Sequence, residues 1–489
     1  MRPGVLVRLA VAGTRTDRVR VALTIATATL ATVMLLVAAT VLAVDVPEPR
    51  YQVVLLNHFD LRQTVAATLL LVSLPVLALA AQAGRIGAPA RQRRLAALRL
   101  AGATPRQVVT IAAAETGVAA ALGTGLGLAA CLAGRVLLHQ RNPDGRLWLP
   151  TDVSPWPWLL VLILVGLPVA AASVAALLLR HMQHSPLGVA RAAETPVPKP
   201  WPLLFVPLGF AVFAVVETRD GMSGSVVLRL FFGGAVTAAG LVLGMAWLSH
   251  QAGRLLHRVG RGPATLLAAR RLTADPWSGS RTVGVLLVCG LVAGGGLGMR
   301  DHYAAQLRIW LRHEPPPELM ERVRQGEPID PFFASGLKGI SLAVGVAAAI
   351  AAIGVLTALL EAVAARRRAF ATLTAAGVRR RVLAQALLWQ AVLPVALMMP
   401  AAVLLGAGMV QQILPEMYDT VFTEVPDPAC TGGACRSEMR IEYRYETWFV
   451  DWTEVALVSA AGIGLVALIA GLAAATLRTR TDLQDLRTA

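Results

Sequence analysis

Ten apolar runs divide this chain of 489 residues, at 21–44, 61–83, 108–134, 156–179, 202–216, 226–248, 282–298, 335–360, 382–410 and 455–477. They constrain its fold more than any other feature. A hydrocarbon core roughly 30 Å thick asks for a helix of about 20 apolar residues, and backbone groups inside it must bond within their own helix. The expectation is an all-α polytopic membrane protein with ten transmembrane helices, of which the fifth is the shortest. Composition agrees, with 56% hydrophobic and 15% charged residues and a mean hydropathy of +0.62. The run from Val21 to Val44 follows five arginines as a secretory signal does, but it exceeds the 7–15 apolar residues of such a signal. It reads as a retained first span.

The net charge of +16 is almost wholly arginine, because Lys199 and Lys338 are the only lysines. A basic excess can point to nucleic acid. Here the charge sits in short loops between spans, so topology accounts for it and no nucleic-acid partner is expected. Loops on the side of the N-terminus carry 29 Lys/Arg against 6 acids, whereas the opposite loops carry 13 against 22. By the positive-inside rule both termini are cytoplasmic, and the chain is a multi-pass protein of the plasma membrane.

An internal repeat organises the spans. RQRRLAALRLAGATPRQV at 91–108 is echoed 275 residues later by RRRAFATLTAAGVRRRVL at 366–383. Arg91 falls on Arg366, Arg93 on Arg368 and Gly102 on Gly377. Each copy reads as a short basic helix, a glycine that ends it, a basic turn and the next long apolar helix. Spans 1–4 and 7–10 are therefore expected to form two four-helix repeats, over 1–191 and 261–489, with a helix pair inserted at 192–260. An inserted pair leaves both quartets the same way up, so the repeat is parallel. Each quartet opens with an arginine-bearing amphipathic lead-in, 6–20 and 266–281, expected along the inner headgroups.

Glycine pairs at GxxxG spacing, Gly123/Gly127 and Gly240/Gly244, predict close helix–helix packing. A phosphate-cradling loop at Gly123–Gly127 would need a preceding strand, and none is present. On the outer side, 299–332 continues span 7 as an amphipathic helix with Tyr303, Leu307, Trp310 and Leu311 at helical spacing. It reads as a surface helix or a lid over a substrate. Residues 439–446 alternate apolar and charged, as a half-buried strand does. Paired with 420–425, they give a small extracellular β-hairpin. Cys430 and Cys435 close its glycine-containing tip, and on an oxidising face they are expected to form a disulfide. Cys131 and Cys289, inside apolar runs, read as small core residues.

No Walker A lysine, HExxH or GxSxG motif occurs, and no His/Cys/carboxylate cluster suits a catalytic metal. His181 and His184 read as interfacial side chains. Glu115 is the one acid inside a span, a functional candidate by default or a partner to polar neighbours near the cytoplasmic boundary. Its counterpart in the second copy is Gln390. The chain reads as non-catalytic, and two basic cytoplasmic elbows imply an external engine.

The words Arg93-Arg94-Leu95-Ala96-Ala97-Leu98-Arg99-Leu100-Ala101-Gly102-Ala103-Thr104, then Ala114-Glu115 entering a glycine-rich span, resemble the FtsX-like permease family. These are membrane subunits of ABC systems of the MacB and lipoprotein-releasing kind. Ser185-Pro186-Leu187-Gly188-Val189-Ala190-Arg191 resembles the family's usual ending. The second copy departs from the pattern, with Thr374 for Arg99 and Gln390 for Glu115. The resemblance implies that the elbows are coupling helices seated on a separate dimeric ABC ATPase. Its contacts would be Arg91, Arg93, Arg94, Arg99, Gly102 and Arg106 in the first copy, and Arg366, Arg368, Gly377 and Arg380 in the second. It also implies that ATP and Mg are used by that partner, with no cofactor bound by this chain. The arginines can equally pair with anionic headgroups at about 1 kcal/mol each. The large outer domain of related permeases is missing, because the loops after spans 1 and 7 are short.

The leading expectation is a permease that exports or extracts an amphiphile or peptide, with an extracellular accessory protein allowed. A force transmitter controlling an outer enzyme is the alternative. A secondary transporter would want charges at the bilayer midplane, and the spans offer almost none.

Overall fold

In the computed structural model of the chain, the described residues are 15–45, 50–53, 56–57, 59–83, 100, 102–143, 145–181, 197–214, 224–312, 331–365, 372–414, 416–425 and 438–480. The first four long helices are α1 (Arg15–Leu42), α2 (Phe59–Ala83), α3 (Pro105–Leu137) and α4 (Pro157–His181). A single 3₁₀ turn, Trp201–Leu204, leads into the short α5 (Phe205–Ala214). Then follow α6 (Gly224–Val259), α7 (Pro263–Ala274), α8 (Trp277–Arg312), α9 (Pro331–Ala365) and α10 (Arg380–Ile413). Two strands, β1 (Glu416–Val425) and β2 (Glu438–Thr447), precede α11 (Trp452–Arg480). They pair antiparallel from Glu416 opposite Thr447 to Val425 opposite Glu438. Cys430 and Cys435 lie outside the described residues.

Among the described residues, eight helices are long and apolar enough to cross a membrane. They belong to α1, α3, α4, α6, α8, α9, α10 and α11. The apolar parts of α2 (Val65–Ala80) and of the α5 region (Trp201–Val212) are shorter. Arg62 and Gln63, in the first turns of α2, are both buried. Arg62 donates to the carbonyl of Val44, just past the last turn of α1.

The pairing of helices repeats. α1 packs on α2 and α3, and α3 on α4; likewise α8 packs on α9 and α10, and α10 on α11. α2 joins the two sets by packing on α6, α8 and α9. The main buried cluster runs from Leu74 and Val76 of α2 through Met245 of α6 and Leu287 of α8 to Val355, Val395 and Val466. α8 is central, with 67% of its most apolar window buried, whereas α4 has 11% and is peripheral. A peripheral apolar helix of this kind faces lipid.

Small residues set the closest approaches. A Cβ on Gly123 would lie 2.5 Å from the Ile25 carbonyl oxygen, and one on Gly127 2.7 Å from Thr32 Cβ. The same contact recurs between α8 and α10, where a Cβ on Gly406 would stand 2.0 Å from the Leu291 oxygen and one on Gly294 2.0 Å from the Val403 oxygen. Thr29 also donates to the Gly123 carbonyl at 3.0 Å. The Gly123–Gly127 segment is thus a packing face, and Gly125 between them has nothing within 4 Å of its Cβ position. Gly406→Val is expected to destabilise the protein by at least about 1–3 kcal/mol, the usual cost of overpacking, because backbone blocks the space. Gly471→Ala, where nothing lies within 4 Å, is expected to change nothing. Thermal unfolding of the two purified variants checks this, and equal midpoints would contradict the packing.

The second lead-in differs from the expectation of a helix lying on headgroups. α7 buries Ala264, Ala268, Ala269 and Leu272. It packs on α6 and α10, with Ala386 of α10 in the same cluster. Alanines at that spacing let two helices come close, so protein covers the face assigned to lipid. Of the first lead-in, 6–14 lie outside the described residues.

Candidate functional site

The two elbows end alike. Gly102 and Gly377 have φ of +89° and +87°, and among the described residues only Gly145 shares this left-handed conformation. Such a residue after a helix lets the chain turn while satisfying the last carbonyls. At the second elbow the bonding is complete. The Val378 N–H donates to the Leu373 carbonyl at 3.0 Å, and the Gly377 N–H to the Thr374 carbonyl at 3.1 Å. Leu373 and Val378 then pack beside Leu383 and Leu387 of α10.

Each elbow hands over directly to a long helix. At the first, the Gln107 N–H donates to Thr104 Oγ1 at 3.4 Å and the Thr104 N–H to Gln107 Oε1 at 3.0 Å, a reciprocal cap with Pro105 in the first turn. α10 instead starts at Arg379 with no side-chain cap. Arg106, Arg379, Arg380 and Arg381 are exposed there, and neither helix has an acid in its first turn. Cations at a helix N-terminus oppose the helix dipole. They do not stabilise the helix start, and among the described residues the first elbow exposes one arginine and the second three. Arg91, Arg93, Arg94, Arg99, Arg366 and Arg368 lie outside the described residues.

Glu115, 8% exposed, forms an ion pair with Arg20 of α1, itself 5% exposed. The pair ties the elbow-side end of α1 to α3, about 15 Å along α3 from its start at Pro105 at 1.5 Å per residue. Sequence reasoning singled out Glu115 but not Arg20, which looked like one of five leader arginines. Gln390, at the equivalent place in α10, is also buried.

The opposite ends of α1–α4 are closed by loops that sequence reasoning passed over. Tyr51 is buried, and its hydroxyl donates to Asp152 Oδ1 at 2.9 Å. Burial, and then this bond to a carboxylate, push the phenol well above its ordinary range, so it remains a neutral donor. Gln52 N–H donates to the Leu147 carbonyl and Leu147 N–H to the Arg50 carbonyl, joining the loop after α1 to the loop after α3. At the corresponding end of the second set, Trp448 Nε1–H donates to the Leu414 carbonyl at 2.6 Å, and its ring meets His302 of α8 edge-on at 5.6 Å. Arg300 of α8 pairs with Glu454 of α11 at 2.8 Å. α8 continues to Arg312, and its Ala305 packs with Trp448.

Among the described residues no group of three or more His, Cys, Asp or Glu is placed to hold a metal. A family model described as FtsX-like permease C-terminal matches the chain twice, over residues 64–186 and 341–481. Each match takes in one elbow and the long helix that follows it. No curated protein matches the chain significantly.

Proposed function

Because the chain belongs to the FtsX-like permease family, and is thus an integral membrane protein of the ABC transporter permease kind, we propose that it couples ATP hydrolysis by a separate ATPase dimer to export or extraction of an amphiphilic or peptide substrate. The observation that carries the reading is the pair of glycines 275 residues apart, both left-handed, each turning an arginine-rich segment into a long apolar helix. A lipid anchor needs the charge but not the turn. A surface docked on another protein needs both, because the turn fixes the direction of the segment it ends.

On this reading 1–191 and 261–489 are two parallel quartets, 192–260 is an inserted pair, and α2 and α5 complete ten spans. Aromatic side chains support the boundary away from the elbows. Trp156 and Trp158, stacked at 6.3 Å, and Phe449 and Trp452 are exposed at the starts of α4 and α11, where an aromatic belt is expected. The charge bias puts the elbows and both termini in the cytoplasm. ATP and Mg belong to the partner.

Two measurements test this. In cells lacking Cys430 and Cys435, an impermeant thiol reagent is expected to spare a cysteine placed at 103 and to label one placed at 143. Labelling at 103 would refute the ten-span topology. The chain is also expected to co-purify with its cognate ABC ATPase, and failure to do so would refute the coupling.

A further inference from the structure

At the end of the first quartet away from the elbows, a cavity of about 490 Å³ lies between α1, α2 and α3. This is within the roughly 300–1,000 Å³ of small-molecule sites. Its wall is aliphatic, with Leu36 and Val37 of α1, Leu69 of α2 and Leu132 of α3. Val37 and Leu132 are 40% and 52% exposed, so the cavity opens sideways between helices that face lipid. Gly339 of α9 completes the lining, so both quartets contribute.

Among the described residues one cation lines it. Arg135, in the last turn of α3, donates to the carbonyls of Thr151 and Val153. These bonds hold the guanidinium in place without neutralising it. Among the described residues no carboxylate stands within ion-pair distance, and Asp152 between those two carbonyls accepts from Tyr51 instead. The side chain is thus an oriented positive charge at the rim of an apolar cavity.

We propose that this cavity binds an anionic lipid of the bilayer, with an aliphatic chain along the Leu36–Leu132 wall and its acidic head group on Arg135. A neutral lipid would leave a half-buried cation without a counter-charge, which is costly in low dielectric. A soluble anion would find one cation and a wall that offers it nothing. The inference rests on the transporter reading, because it places the bundle in a bilayer, and it deepens that reading by naming the class of amphiphile.

The full chain in nanodiscs of phosphatidylcholine with a minority of phosphatidylglycerol supplies the test, with lipid retained after detergent extraction counted by native mass spectrometry. The wild type is expected to keep phosphatidylglycerol preferentially. Arg135→Gln is expected to lower its retention about tenfold, the scale of one charge-assisted bond. Gly134→Phe and Gly339→Phe are expected to abolish it by filling the cavity. Both glycines line it and have nothing within 4 Å of their Cβ positions, so neither substitution strikes a neighbour at its root. Equal retention by all four proteins, or equal retention of both lipids by the wild type, would overturn the proposal. ATPase co-purification from the same preparations separates the two readings. A chain that binds its ATPase but shows no lipid preference refutes the cavity alone, and one that keeps phosphatidylglycerol but binds no ATPase refutes the coupling alone.

Discussion

Gly102→Val is expected to cut transport-linked ATP hydrolysis by about 5–30-fold while membrane insertion proceeds normally. Nothing lies within 4 Å of the Gly102 Cβ position, so crowding is not the cause. The cause is the backbone, because φ is +89°. An L-residue there loses about 1–2 kcal/mol, and a β-branched one is a genuine outlier. The relaxed chain returns to negative φ and swings the basic segment away from its direction. One to two kcal/mol corresponds to that factor in the population of the working geometry. Asn tolerates the left-handed region, so Gly102→Asn should restore most of the activity. Gly125→Val, equally uncrowded but without a positive φ, is the control and should be silent. Gly377→Val should act in the same direction, because Val378 and Leu373 lose their bond as well as the turn. Normal turnover in both valine variants would leave the arginines as inner-leaflet anchors.

Glu115→Ala is expected to be the most destabilising single change at the elbow side, by about 3–5 kcal/mol, because it leaves a buried Arg20 without a counter-charge. Arg20 Nε already has no partner among the described residues, so the guanidinium has little to fall back on. The double change Arg20→Met, Glu115→Leu removes both charges and should recover most or all of the loss, as replacement of a buried pair by packed apolar groups does. Thermal unfolding of the three purified variants decides the matter. Equal loss in the single and the double variant would show that packing, not charge, holds α1 to α3.

Most of the helical layout was legible because a bilayer imposes its own ruler. Eight of the ten apolar runs coincide with helices long and apolar enough to span among the described residues, and the glycines at 102 and 377 announced the turn through the residue type that tolerates it. The partnership of Arg20 with Glu115 was not legible. The two residues are 95 positions apart, and an arginine before a first span reads as topology rather than as a contact. α7 was misread for a related reason. Its alanines are too small to declare whether lipid or protein covers them, and only α6 and α10 decide it. Arg135 and the loop around Tyr51 left no periodic trace, since they depend on where two loops meet.

On the transporter reading, the exposure pattern along α3 and α10 tells how far the elbows stand from the hydrocarbon. In α3 the apolar residues nearest the elbow, Val108, Val109 and Ile111, are buried in protein, and large exposed ones begin only at Val118 and run to Leu138. In α10 the first is Trp389. From Pro105 to Val118 and from Arg380 to Trp389 the helices therefore rise about 20 and 14 Å at 1.5 Å per residue. A headgroup layer adds only about 5–8 Å on each side of the core. On that reading both turns stand beyond the headgroup layer, where a soluble partner can reach them.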